Sequence, residues 1–205
     1  MIKKFLKSLK FKSSYSSPKE DENLNNNSID INPLIQVAKL LSENDPEVVS
    51  RVSLYIDDSK KYYSDNEDEL TERCIDSDTD LTCEIVLINE LKNSSYIAYI
   101  DHSEEADRVI KFLDELSGNK LSVNNNFEDL ISAYNSTGKY YAISNFLYDS
   151  KIGPMPYEFL QNLGYSLANI DEGSDALALI LVKNNVSNNL IEIADSASLK
   201  LRILG

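Results

Sequence analysis

The sequence predicts an α+β fold, with a helix-rich N-terminal half and a small, mostly antiparallel sheet that includes a C-terminal hairpin. Three observations predict it. Helix start signals dominate the first half, with Asn32-Pro33 and Asp45-Pro46-Glu47 the clearest. Two strand-like runs, Tyr165 to Asp171 and Ala176 to Lys183, flank the turn Asp171-Glu172-Gly173-Ser174-Asp175, which is a hairpin pattern. Helices outnumber strands and precede the hairpin, which favours α+β over a doubly wound sheet.

Asn32 reads as an N-cap with proline at the first helical position, and Leu34, Ile35, Ala38, Leu40 and Leu41 give that first helix an apolar face. Asp45-Pro46-Glu47 starts a second helix with Val48, Val49, Val52, Tyr55 and Ile56 as its stripe, and the short joint makes the two an αα-hairpin. Ser64 and Glu67 have the spacing of a capping box for a third helix to about Arg73, and Thr79 starts a fourth to about Lys92. Ser95 to Asp101 is apolar and short, hence a strand. Ser103 caps a fifth helix, with Val109, Ile110, Leu113 and Leu116 inward and Gly118 as its stop. Helices over 127–135, 139–149 and 157–163 lead to Gly164 and the hairpin, and a helix over 189–198 and a strand over 200–204 follow. The continuously apolar Ala176 to Val182 reads as a central strand covered on both faces.

The chain is electrically split. The six basic residues of the first nineteen positions precede the first acid, Glu20, and the rest carries 34 acids against 14 bases, a net −20. Residues 1–12 form a basic amphipathic tip, with Ile2, Phe5, Leu6 and Leu9 on one face and Lys3, Lys4, Lys7, Lys10 and Lys12 around it. Such a tip fits weak peripheral contact with an anionic membrane, made by Ile2, Lys3, Lys4, Phe5, Leu6, Lys7, Leu9 and Lys10. Five lysines at about 1 kcal/mol each give a millimolar-range grip. Lys7 and Lys10 interrupt what would be the apolar core of a secretory signal, so the expected location is cytoplasmic, at most peripheral to the inner face of the membrane. Residues 13–30 are Ser-, Asn- and charge-rich, a disordered linker, and 31–205 form a single acidic globular domain.

This charge excludes some classes of function and leaves others open. A body at −20 with no later cluster of bases disfavours nucleic acid as a partner. Cys74 and Cys83 match neither a disulfide framework nor a zinc ribbon. Six glycines and no phosphate-cradling loop imply no cofactor. Asp101-His102-Ser103 contains triad residue types, but neighbours on an extended chain point apart, and Ser103 is better explained as a cap. Asp76, Asp78 and Asp80 mimic the opening of a calcium loop; Leu81 and Leu87 stand where its glycine and glutamate belong, so no metal is expected. Twelve tyrosines, among them Tyr62-Tyr63 and Tyr140-Tyr141, are interface candidates, with burial the explanation for at least half.

The order Leu40-Leu41 and Asp45-Pro46-Glu47, then Ile100-Asp101 before an acidic helix, then Leu163-Gly164-Tyr165 with Asp171 to Asp175, carries a resemblance. It resembles a bacterial family catalogued only as a domain of unknown function, number 6630, over about Pro33 to Gly205. That family tends to have Asp-Trp-Lys at the strand end and an aromatic after the hairpin aspartate, where this chain has His102, Ser103 and Ala176. The resemblance implies no reaction. In type, the acidic glycine turn before an apolar strand is similar to that of Smi1/Knr4-like immunity proteins, small acidic proteins that neutralise toxins.

The leading expectation is a non-catalytic binding protein engaging a basic or polar protein partner, with toxin immunity as its most concrete form. Asp65, Glu67 and Asp68, and the turn residues Asp171, Glu172 and Asp175, are its expected contacts. The balance leans against an enzyme. The enzyme alternative is a hydrolytic or metal-dependent site near Asp101, His102 and Asp175, and a membrane-surface adaptor using the tip is a third reading.

Overall fold

The computed structural model describes residues 32–101, 104, 106–123, 128, 132 and 160–204. The basic tip, the linker, His102, Ser103 and the helix expected over 139–149 lie outside the described residues. Of the helix expected over 127–135, residues 128 and 132 are described and both are helical.

The first two helices follow from local chemistry. Helix α1, Pro33–Leu41, is capped by Asn32, whose Oδ1 accepts from Leu34 N at 2.9 Å, and α2, Pro46–Asp57, by Asp45, whose Oδ1 accepts from Glu47 N at 2.9 Å. Each proline sits in the first turn, where its missing N–H is not needed. Between them Glu43 and Asn44 take left-handed φ values of 53° and 66°, which reverses the chain within a short joint. Helix α1 buries Leu34, Val37, Ala38 and Leu41. Helix α2 buries only Val48 and Val52; Val49 and Tyr55 are half-buried and Ile56 is 37% exposed, so the expected stripe is narrower than its five apolar residues.

The third and fourth helices depart from expectation. Ser64 is no cap: it lies inside α3, Ser59–Asp65, which Asp58 caps by accepting from Lys61 N at 3.0 Å. Helix α4, Glu67–Glu72, begins after Asn66 without a side-chain cap bond. The extra helix carries Tyr62 into the core, where it is fully buried, and that tertiary gain outweighs the local capping signal. Helix α5, Cys83–Asn93, starts at Thr82 instead of Thr79, with Thr82 Oγ1 accepting from Ile85 N at 3.3 Å. Asp78–Asp80 is a 3-10 turn, and extended Leu81 drops into the core before the helix can begin.

Helix α5 is enclosed. Val86, Leu87, Ile88 and Leu91 are buried together with the polar Glu84, Asn89 and Glu90, as expected of a helix covered on more than one side.

Among the described residues, four strands make one antiparallel sheet in the order β1-β3-β2-β4: β1 Ile97–Ile100, β2 Tyr165–Ile170, β3 Leu177–Lys183 and β4 Leu201–Leu204. The two-residue period sorts the side chains. Ile97, Ala168, Ile170, Ala178, Ile180, Val182 and Leu201 join the core formed with α1, α2, α3, α5 and α8, Ser187–Ser196. Ala98, Ile100, Leu167, Leu179 and Leu204 join a second core with Val109, Ile110 and Leu113 of α6, Ala106–Leu116, and Leu121 of α7, Lys120–Val123. Strand β3 is therefore central and covered on both faces, as its unbroken apolar run predicts. No local sequence signal announces helix α7; buried Asp114 sets it, with Oδ1 accepting from Leu121 N and Ser122 N, each at 3.0 Å.

The β2–β3 turn needs its glycine for backbone reasons alone. Gly173 has φ +88° and a Cβ there would meet nothing within 4 Å. Gly173→Ala is therefore expected to lower stability by about 1 kcal/mol, from left-handed strain without a clash. Urea unfolding checks it.

Candidate functional site

The acidic run and the hairpin turn, distant in sequence, are tied together at one end of the sheet. The run Asp65 to Asp80 has eight acids and a single base, Arg73. Arg73 ends α4 and reaches across to the turn, where its Nη2 donates to Glu172 Oε2. Its Nη1 donates to Asn89 Oδ1 at 3.4 Å, and its guanidinium carbon lies 5.3 Å from the Tyr99 ring centroid. Tyr99 Oη donates to Glu172 Oε1, as does Ser174 Oγ at 3.0 Å. The Arg73 and Glu172 side chains are only 13% and 8% exposed, so this ion pair is largely, though not fully, withdrawn from solvent, and both Glu172 oxygens are occupied. Burial, and then the Glu172 carboxylate, push the Tyr99 hydroxyl above its ordinary value, which keeps it a donor.

A second buried cluster continues from Asn89. Tyr62 Oη donates to Glu90 Oε1 at 2.7 Å, and Asn89 Nδ2 donates to Tyr62 Oη at 3.4 Å. Arg51 of α2 closes it: its Nε lies 3.8 Å from Glu90, its Nη1 3.6 Å from Asp65, and its Nη2 donates to Asn66 Oδ1 at 2.6 Å. Burial pushes the Glu90 carboxyl above the usual range, against the opposing pull of Tyr62 and Arg51. Burial and the neighbouring Glu90 likewise push Tyr62 well up. Among the described residues no buried side-chain nitrogen or oxygen lacks a partner.

On the surface above these clusters the acids are less compensated. Asp65 pairs with Arg51 and, at 3.4 Å, with Lys61, and Glu69 pairs with Lys92 at 3.2 Å. Glu67, Asp68, Glu72, Asp76, Asp78 and Asp80 have no ion pair among the described residues. Residues Ser64 to Glu69 line an open depression of about 390 Å³.

The structure treats the expected contact residues unequally. Asp65, Glu67 and Asp68 lie on this surface, whereas Glu172 turns inward to Arg73 and Tyr99. Asp171 accepts from Gly173 N at 2.9 Å and so shapes the turn, and Asp175 is exposed. The register Ile100↔Leu177 brings Asp101 to the same sheet end as Asp175, while His102 lies outside the described residues. Asp76, Asp78 and Asp80 do not converge: among the described residues no three His, Cys, Asp or Glu side chains could hold a metal ion together. Cys74 is exposed and Cys83 half-buried, both free thiols. No helix among the described residues is long and apolar enough to cross a membrane. Arg51, Arg73, Glu90 and Tyr99 were not legible as site residues, although a lone base among eight acids and a polar pair within the apolar α5 are signals of a kind.

A larger groove of about 560 Å³ lies at the other end of the sheet, with Leu40, Tyr96, Leu116, Tyr165 and Leu181 in its wall. Its charge is locally balanced, since Lys183 Nζ sits 2.8 Å from Glu43.

Residues 33–204 match the family described as Domain of unknown function (DUF6630). No curated protein and no solved structure matches the chain, and the likeness to Smi1/Knr4-like proteins is not shown. The match spans most of the sequence, so the chain belongs to that family.

Proposed function

We propose that this member of the DUF6630 family is a non-catalytic binding protein whose acidic face engages a basic protein partner. One observation carries the reading: among the described residues, the cations beneath and beside this face are taken by inner or flanking acids, and the outer acids have none. Arg73, the one base in the run, is taken inward by Glu172, and Arg51 is taken by Glu90 and Asp65. Glu67 and Asp68 are left exposed in the wall of the open depression, and Glu72 and Asp76 are exposed farther along the same run. A cationic partner would gain association rate and selectivity from such a surface. The inward pairs hold the α4 segment and the β2–β3 turn in fixed relation, so that a partner meets a formed surface.

The test is anisotropy with a labelled arginine-rich peptide. Neutralising Glu67→Gln, Asp68→Asn, Glu72→Gln and Asp76→Asn together is expected to weaken binding at least about tenfold at low salt. Neutralising four exposed acids elsewhere, Glu47, Asp57, Glu192 and Asp195, is expected to change it less than about threefold, reflecting net charge alone. Equal weakening by the two sets would reduce the face to a contribution to solubility.

A further inference from the structure

Arg51 occupies an unusual position in this network, because one guanidinium serves two carboxylates of opposite burial. Glu90 is 5% exposed and lies on the inner side; Asp65 is at the surface, its side chain 37% exposed. Arg51 is 3.8 Å from the first and 3.6 Å from the second, too far in either case for an optimal charged hydrogen bond. Its anchor is Asn66 Oδ1 at 2.6 Å, with the Tyr62 ring centroid 5.3 Å from its central carbon. A planar side chain anchored at one nitrogen between two acids can lean toward either.

We propose that Arg51 is a relay through which proton uptake at the buried Glu90 strengthens its hold on the surface Asp65. The groups that face the Glu90 carboxyl are Arg51 from α2, Tyr62 from α3, Glu69 from α4 and Asn89 on α5 itself. Of these only Arg51 is a cation. When Glu90 is charged, Arg51 is its one cationic partner among the described residues; when Glu90 takes a proton from solvent, Arg51 is released to Asp65. Tyr62 and Asn89 can keep their hydrogen bonds in both states, so the fold need not open.

The sign of the effect on stability follows from burial. Because the fold holds Glu90 above its unfolded value, folding favours the protonated form. Its stabilising contribution is complete below the ordinary glutamate range and is lost as pH rises through the Glu90 titration.

For binding, and resting here on the acidic-face reading, the linkage runs the other way. A partner cation arriving at Asp65 displaces Arg51 toward Glu90, favours the charged carboxylate and expels a proton to solvent. Reciprocity then requires that acidification through the Glu90 titration weakens cation binding at Asp65.

Carbon-detected NMR titration of the Glu90 carboxyl tests the relay without any partner. Asp65→Asn is expected to lower the Glu90 midpoint by about one unit, because Arg51 then has one acid to serve. The same substitution made in an Arg51→Gln background is expected to shift it by much less. Equal shifts in the two backgrounds, or none in either, would overturn the relay. If Arg51→Gln does not fold, Lys61→Gln supplies the reverse arm: it removes the other cation of Asp65, and the Glu90 midpoint should rise, while an unchanged midpoint counts against the proposal. The arginine-rich peptide provides the functional arm. Its affinity should fall with acidification above the ordinary carboxylate range in the wild type and lose that component in Glu90→Gln; an identical pH profile in both would sever the relay from binding. A peptide that binds neither protein defeats the acidic-face reading and leaves the NMR result standing.

Discussion

Replacing Arg73 by alanine is expected to destabilise the protein by about 3 kcal/mol, the low end for breaking a buried ion pair because Arg73 retains some exposure. The substitution strands the Glu172 carboxylate beside Tyr99 and Ser174, which donate hydrogen bonds but carry no positive charge. It also removes the guanidinium from the Tyr99 ring and leaves Asn89 Oδ1 without its donor. Adding Glu172→Gln to the alanine variant is expected to recover about half of the loss, since an amide tolerates the site without a cation. Urea unfolding of the two single variants and the double variant measures this. A loss below about 1 kcal/mol for Arg73→Ala would show that the pair behaves as a solvated surface bridge.

Leu91→Ala should have an effect of similar size by a different mechanism. Leu91 has no exposed surface and sits in the core shared by α5, the first helices and the sheet. Truncation there removes three carbons from a site with little freedom to collapse, about 3 kcal/mol. Leu91→Met, which keeps the volume, should cost less than about 1.5 kcal/mol. Thermal or urea unfolding distinguishes them, and equal losses would mean that the side chain's shape matters more than its volume.

These two sites mark the limit of what the sequence could reveal. The caps at Asn32 and Asp45, the stop at Gly118 and the turn at Gly173 were legible because each rests on bonds within a few residues. The unbroken apolar run of β3 disclosed its central place in the sheet for the same kind of reason: neither face has a polar residue to offer water. The α3–α4 division was not legible. The Ser64 and Glu67 spacing is a sound local signal, but burial of Tyr62 against Glu90, 28 residues away, decides where the helix runs. Glu172 shows the same difficulty at the site. As part of an acidic turn it reads as a surface contact, and only a partner 99 residues distant makes it an internal anchor. The charge of the run was visible in composition; which acids remain outward was settled by tertiary pairing.

The outward acids between Glu67 and Asp76 are proposed as a recognition surface for a cationic protein. The most direct measurement is quantitative capture from extracts of the producing cell by three forms of the full chain. These are the wild type, the form neutralised at Glu67, Asp68, Glu72 and Asp76, and the form neutralised at Glu47, Asp57, Glu192 and Asp195. A basic protein is expected to be held by the wild type and by the form neutralised at Glu47, Asp57, Glu192 and Asp195, and to be lost from the form neutralised at Glu67, Asp68, Glu72 and Asp76. Retention of the same proteins by all three forms would contradict it.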